Sequence, residues 1–418
     1  MVDLVGVSAD PRLIAAFALL IFTATYIGVA IGRWPGLRLD RAGIALTGAA
    51  LMLAVGALTP EQAYRAIDLD TITLLLGMMI IVAHLRLSGF FEQAGHWATT
   101  YAHTPKALLA SLSIATGILS AFLVNDAVCL MMTPLAISLT RALRRNPLPY
   151  LLAVAMAANI GSVATITGNP QNMMIGTLSK IPYPDFTLAL FPVALSGLLL
   201  TIALIALSFR EEFFGPTAYL PAPPAPVRRV RHSGLMLKTI AVTAGVIGLF
   251  FAGMAVAKAA ILGGALLLVT RAVKPRRVYR EIDGSLLLMF AGLFVVVAGA
   301  EQMFLTPQRI AAVQNLDLGN IWVLTTATAA LSNLVSNVPA VMMLRPFVPA
   351  LPDPERAWLI IAMASTLAGN LTLVGSVANL IVAERARASG ITISLAAYCR
   401  VGIPLTVLTL LLGVLWLG

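Results

Sequence analysis

Two hydrophobic runs in this chain are broken by the same asparagine-bearing turn, and that limits what it can fold into more than any other feature. Ser120-Ala121-Phe122-Leu123-Val124-Asn125-Asp126 leads into the run from Ala127 to Pro134. Ser332-Asn333-Leu334-Val335-Ser336-Asn337-Val338 leads into the run from Pro339 to Pro346. The two align without a gap, pairing Ser120 with Ser332, Asn125 with Asn337, Met131 with Met343 and Pro134 with Pro346. Turn-forming polar residues inside apolar runs are costly in hydrocarbon unless they line a buried, wet cavity. Two such breaks at corresponding positions of two halves point to the binding site of a secondary transporter.

The repetition extends beyond these turns. Tyr64-Arg65-Ala66-Ile67-Asp68 matches Tyr279-Arg280-Glu281-Ile282-Asp283, and Gly77 matches Gly292. Ala155-Met156-Ala157 matches Ala362-Met363-Ala364, and Thr165, Gly168 and Asn172 match Thr372, Gly375 and Asn379. Hydrophobic residues make up 59% of the chain and charged residues 11%, against roughly 25% charged in a soluble domain. Apolar stretches long enough to cross a bilayer recur throughout. The predicted spans of the first half cover 13–32, 43–58, 70–87, 149–168 continuing to 179, and 187–209, with a re-entrant helical hairpin at 107–141. Those of the second half cover 236–255, 257–272, 284–300, 357–375 continuing to 386, and 392–417, with a hairpin at 320–349. The expected fold class is therefore an all-α polytopic membrane protein. It has two inverted repeats of about five transmembrane helices, each with one re-entrant hairpin and one broken helix. The repeats are 1–209 and 236–418, joined by a linker at 210–235. The first apolar run follows an acidic start (Asp3, Asp10) without a basic segment, so it reads as a span and not as a cleaved signal.

The net charge of +10 does not indicate nucleic-acid binding, because the basic residues cluster in short loops between spans. With both termini outside a cell (inner) membrane, the inside loops collect most of them, including Arg33, Arg38, Arg41, Arg86, Lys106, Arg141, Arg144, Arg145 and Arg228. This orientation makes the first hairpin open inward and the second outward. The linker holds Pro216, Pro221, Pro223, Pro224 and Pro226 followed by Arg228, Arg229 and Arg231, a composition that stays extended. Segments 90–102 and 302–315 mix apolar and polar residues and read as helices lying along the interface.

Asp126 is the one acid expected well inside the membrane; Asp70, Asp283 and Glu384 fall at span edges. A carboxylate at that depth must be protonated, cation-bound or paired, which makes it a candidate site for H⁺ or Na⁺ coupling. The alternative is an acid that only caps the exit helix of its hairpin. Asn125 and Asn337, with Ser336 beside the latter, sit where exit helices begin. Helix N-termini there favour an anion, and the entering helix ends offer carbonyls to a small cation. Thr165-Ile166-Thr167-Gly168-Asn169-Pro170-Gln171-Asn172 and its partner from Thr372 through Gly375 and Ser376 to Asn379 break the following spans. The expected substrate-binding set is Asn125, Asn337, Ser336, Asn169, Gln171, Asn172, Ser376 and Asn379. The expected coupling-ion set is Asp126, Asn125, Thr165, Gly168, Thr372 and Gly375. Asn159, Ser162 and Asn370 extend the polar lining.

Nothing in the chain resembles an enzyme's constellation. His84, His96, His103 and His232 have no ligand spacing, and Gly168 belongs to no phosphate-cradling motif, so no cofactor beyond Na⁺ or H⁺ is expected. Cys129 and Cys399 are far apart and read as packing residues.

The order of spans, polar hairpin tip and broken Gly-Asn-Pro helix, then the same again, resembles the ion transporter superfamily. That group contains arsenite permeases, sodium/proton antiporters and divalent anion–sodium symporters. Asn125-Asp126 looks like the Asn-Asp pair of the arsenite permeases' first hairpin, and Asn337-Val338-Pro339 like their second-hairpin Asn-x-Pro. The symporters' Ser-Asn-Thr tips are replaced here by Val124-Asn125-Asp126 and Ser336-Asn337-Val338. The resemblance implies a homodimer, with scaffold helices at 13–87 and 236–300 and transport parts at 107–209 and 320–418 that slide across the membrane as an elevator. It implies a secondary active transporter of a small anion or oxyacid, with efflux of arsenite or antimonite as the specific expectation. A sodium-coupled importer of sulfate or a di- or tricarboxylate, and an ion channel, are the alternatives. A dianion would ideally meet a buried Arg or Lys, and none is expected in mid-span.

Overall fold

The computed structural model describes residues 11–32, 36–91, 93–94, 104–215, 233–269, 272–303 and 317–418. The linker from 216 to 232 and most of the two expected interfacial helices lie outside them. The first half runs α1 (Pro11–Ile31), α2 (Arg41–Ala54), α3 (Pro60–Ala66), α4 (Leu69–Leu87), α5 (Pro105–Phe122), α6 (Asn125–Ala142), α7 (Pro147–Ser162), α8 (Pro170–Ser179), α9 (Tyr183–Ser208) and α10 (Arg210–Phe214). The second half runs α11 (Ser233–Phe251), α12 (Val256–Leu268), α13 (Pro275–Tyr279), α14 (Gly284–Met303), α15 (Ile321–Val335), α16 (Asn337–Leu344), α17 (Pro354–Ala368), α18 (Val377–Ala388) and α19 (Leu395–Leu417). Among the described residues, seven helices are long and apolar enough to cross a membrane.

Two expected spans are shorter than the sequence suggested. The apolar runs 43–58 and 257–272 form helices of 14 and 13 residues, α2 and α12. At 1.5 Å per residue each rises only about 20 Å, short of a hydrocarbon core of about 30 Å. Each lies along a longer helix of the other half: α2 on α14, and α12 on α4. The contacts are reciprocal and require glycine. A Cβ on Gly77 would sit 2.5 Å from the carbonyl carbon of Ala260, and one on Gly292 would sit 2.6 Å from that of Ala45. Gly77 and Gly292 are partners in the sequence repeat, so one packing solution is used twice.

Both hairpins double back. Lys106 at the start of α5 stands 3.7 Å from the ring centre of Phe214. Arg145, just past α6, lies 3.6 Å from Glu212, which also accepts a 2.9 Å hydrogen bond from Tyr150. The two ends of the first hairpin thus share one end of the molecule. In the second, Gly319 before α15 abuts Pro352 beyond the 3-10 turn Arg345–Ala350. The hairpin arms rest on the helices that follow them: α5 and α6 on α7, α15 on α17. Helices α7 and α17 are each continued, after a break, by α8 and α18. The first break contains the 3-10 turn Ile166–Gly168.

Candidate functional site

The tips of the two hairpins meet in one cavity of about 320 Å³. Asn125 and Asp126 line it from the first tip, and Ser336, Asn337, Val338 and Pro339 from the second. Gln171 and Ser376 join them from the two breaks. The remaining wall comes from Asp40 and Arg41 at the start of α2, Asp283 and Ser285 at the start of α14, and the end of α1.

Helix N-termini dominate the lining: α2, α6, α8, α14, α16 and α18 all begin here. Each carries unpaired N–H groups and a partial positive charge. Side chains cap four of these ends. Asp40 accepts from Gly43 N at 2.8 Å, and Asp283 accepts from Leu286 N at 3.0 Å and Ser285 Oγ at 2.6 Å. Asn169 accepts from Asn172 N at 2.8 Å, and Ser376 from Ala378 N at 3.2 Å. In the exit helices of the two hairpins, α6 and α16, the N-cap residues Val124 and Ser336 give no side-chain cap, and at α6 Asn125 Oδ1 takes the Asp126 N–H at 2.9 Å. Their first residues, Asn125 and Asn337, one from each half of the chain, both line the cavity.

Asp126 therefore does not cap its helix, which removes that reading of it. Its carboxylate takes no protein hydrogen bond among the described residues, whereas Asp40 and Asp283 are held by the helix ends they cap. Ser336 adopts φ 75° and ψ 159°, a region nearly reserved for glycine, at the second tip. Such backbone strain costs about 1–3 kcal/mol and collects at ligand-binding positions.

Two residues outside the expected site sets also line the cavity. Arg41, expected in an inside loop, is the first residue of α2 and faces the cavity, so a guanidinium does stand at the site. Its Nε lies 3.4 Å from the Cβ position of Gly32, at the end of α1. Asp283, expected at a span edge, lines the same cavity as Asp126. The sequence signal for both was an acid opening an apolar run (Asp40-Arg41 and Asp283-Gly284), the pattern of a capped helix start.

The expected site residues divide into two sets. Asn125, Asp126, Gln171, Ser336, Asn337 and Ser376 line the cavity; Asn169, Asn172, Asn379, Thr165, Gly168, Thr372 and Gly375 do not. Those of the second set hold the breaks together. Asn172 Nδ2 donates to Ser162 O at 3.1 Å and Thr165 O at 3.0 Å. Its repeat partner Asn379 donates to Gly369 O at 2.7 Å and Thr372 O at 3.2 Å. Buried carbonyls freed by a helix break cost about 1–3 kcal/mol each if left unpaired, and these two amides satisfy them in matching ways. Gly168 packs so closely on Ser162 that a Cβ there would meet backbone. Asn169 and Gln171 both donate to Thr366 Oγ1 on α17 at 3.1 Å, tying the first break to the second half.

Comparison with known proteins agrees with this architecture. The citrate transporter family model (CitMHS) matches residues 17–367. An uncharacterized transporter of Mycobacterium tuberculosis is 29% identical over 96% of this chain and 97% of its own length. The silicon efflux transporter LSI3 of rice (Oryza sativa subsp. japonica) is 28% identical, covering 84% of this chain and 86% of that one. Among solved structures, the YdaH transporter of Alcanivorax borkumensis aligns over 98% of this chain and 97% of its own, with a TM-score of 0.59 at 16% identity, a likeness of fold alone.

Proposed function

The chain belongs to the citrate transporter family, and from that premise we propose that it carries a small, oxygen-rich solute, an anion or an undissociated oxyacid, in the cavity between the hairpin tips. The observation that carries this reading is the pair of helix N-termini, α6 and α16, that face one cavity from opposite halves without a cap from their N-cap residues. Such ends donate hydrogen bonds to oxygen acceptors and favour negative charge. Asp126, free of a capping role, is the coupling group for H⁺ or Na⁺. Metalloid oxyacids such as arsenite, antimonite or silicic acid fit both kinds of group: their oxygens accept from the tips and their hydroxyls donate to Asp126. The efflux function in the name of the rice relative supports this class.

A second reading, a di- or tricarboxylate such as citrate, is favoured by Arg41, a cation of the kind that pairs with carboxylates. Arg41→Gln separates the two. It is expected to weaken citrate by about tenfold to a hundredfold, the loss of charge-assisted hydrogen bonds, and arsenite by no more than about threefold. Equal loss for both solutes would remove the arginine from selectivity.

Purified protein in proteoliposomes tests the reading as a whole. Saturable flux of arsenite, antimonite, silicic acid, sulfate or citrate, driven by an imposed pH or Na⁺ gradient, is the expected result. Flux that never saturates, or that ignores both gradients, would indicate a pore. Within a carrier, Asn125→Leu or Asn337→Leu should raise KM by about tenfold, the scale of one charge-assisted hydrogen bond lost at a tip. Wild-type KM in both variants would move the solute elsewhere.

The mode of movement in this proposal is an elevator with inverted halves. Support comes from packing: α2, α4, α12 and α14 pack among themselves by reciprocal contacts, while the hairpins, breaks, α9 and α19 pack with one another. The first set would be the scaffold and the second the moving part. The proposed homodimer follows from the elevator, whose scaffold must stay fixed in the bilayer. Placement in the cell membrane with both termini outside rests on the distribution of basic residues.

A further inference from the structure

Asn159, on α7 and 1% exposed, lies directly behind the cavity. Its side chain makes four hydrogen bonds, all to amides or a hydroxyl of other elements. Nδ2 donates to Asn370 Oδ1 at 2.9 Å and to Asn379 Oδ1 at 3.1 Å. Oδ1 accepts from Asn125 Nδ2 at 3.2 Å and from Ser376 Oγ at 3.0 Å. Two of these partners, Asn370 and Ser376, lie in the break of the second half and a third, Asn379, in the first turn of α18; the fourth is the tip of the first hairpin.

The direction of every amide in this chain of bonds follows from two backbone carbonyls. Gly369 O and Thr372 O can only accept, so the Asn379 atom they face is Nδ2 and its Oδ1 turns toward Asn159. An oxygen there requires a donor, so Asn159 presents Nδ2 to it and keeps Oδ1 for the other side. Asn125 must then offer Nδ2 to Asn159, while its own Oδ1 accepts from Asp126 N at 2.9 Å. The donor Asn125 has left to give is its second amide hydrogen, while its Oδ1, with one lone pair remaining, is held against the N-terminus of its own helix. Because these amides are buried, reversing any one sets oxygen against oxygen and leaves polar atoms unpaired.

We propose that Asn159 is a positioning residue that fixes Asn125 as a hydrogen-bond donor to the solute, with its polarity imposed by the broken helix of the second half. The relay makes the first tip and the second break a single unit. A displacement of the Gly369 or Thr372 carbonyl frees Asn379, then Asn159, and finally the amide that meets the cargo. This inference rests on the reading that Asn125 faces the solute, and its test has one arm that does not.

In that arm, no solute is present. Thermal unfolding is followed for wild type, Asn159→Ala, Asn379→Ala and the double variant. The relay predicts a double variant that melts within about 2 °C of the less stable single variant, because either change breaks the same chain of bonds. Strictly additive losses would overturn it. In the second arm, flux of arsenite and of citrate is measured with Asn159→Leu, which keeps the size and removes the oxygen that accepts from Asn125. KM should rise about tenfold with Vmax within about twofold, and the rise should vanish when the same change is made in Asn125→Ala. A fall in Vmax at constant KM, or an undiminished KM effect in the Asn125→Ala background, would overturn the positioning role. If wild type carries neither probe, the reading of the cavity fails while the thermal cycle still decides the relay.

Discussion

Asp126→Asn is expected to convert an accumulating carrier into a passive one. The cavity is also lined by Asp40, Asp283 and Arg41. Asp40 and Asp283 each hold a helix N-terminus through the same oxygen, Oδ1. Only the Asp126 carboxylate stands in the cavity without a hydrogen bond among the described residues, so it can exchange one bound cation or proton for another. An amide of the same shape cannot carry a charge through a cycle. Each proton moved down a gradient of one pH unit concentrates a solute about tenfold, equivalent to about 1.4 kcal/mol. The variant should lose that factor entirely while exchanging solute across an equilibrated membrane. Proteoliposomes with an imposed pH or Na⁺ gradient read the difference directly. Wild-type accumulation by Asp126→Asn, with unchanged pH and Na⁺ dependence, would take this residue out of coupling. Its unfolding temperature should change little, since among the described residues the side chain supports neither a cap nor an ion pair.

The second large effect is structural. Gly77→Ala and Gly292→Ala each push a methyl group into the backbone of a facing short helix, at Ala260 and Ala45. Backbone cannot rotate away as a side chain can, so α4 and α12, or α14 and α2, must separate. Overpacking of this kind costs about 3 kcal/mol, more than the roughly 1 kcal/mol that alanine returns in helix propensity. Equal destabilisation by the two variants is expected because the contacts are repeats of one another, and the double variant should fail to fold. Gly245→Ala and Gly248→Ala on α11 are the controls. Nothing lies within 4 Å of the added carbon at either position, so their unfolding temperature should stay level or rise. Thermal unfolding of detergent-purified variants distinguishes the outcomes. A neutral Gly77→Ala would mean that these helices are not pressed together as described.

The two cross-half ties give the hairpins different dependences. Asn159 links the first tip to the second break, and Thr366 links the first break to α17. Asn159 and Thr366 occupy equivalent places in the repeat, so each half steadies the other's interruption. The breaks are therefore not loose loops. The polar run from Asn169 to Asn172 is fully buried or nearly so, and its amides are engaged with carbonyls and hydroxyls.

Several elements were legible in the residues alone because hydrocarbon tolerates so few arrangements. The first hairpin, expected at 107–141, spans Pro105 to Ala142. The second, expected at 320–349, spans Ile321 to Ala350. Helix interruptions, expected at Thr165–Asn172 and Thr372–Asn379 and found at 163–169 and 369–376, announced themselves through Gly, Pro and Asn, which an apolar helix cannot absorb without a reason. Asn125 and Asn337 were visible as the two tips for the same cause. The lengths of α2 and α12 were not legible, since an apolar run reads the same whether it crosses a membrane or lies against another helix.

What the sequence determined, then, was the presence of membrane helices, their repetition and the positions of the costly breaks, because each is a local matter of which groups can be left without water. The tertiary structure alone decided that Arg41 and Asp283 stand beside Asp126, and that Asn169, Asn172 and Asn379 serve the backbone instead of the cavity. An asparagine in a polar run can face a ligand or a carbonyl with equal chemical fitness. Which it does depends on where helices far apart in the chain come to end, and no local pattern carries that information.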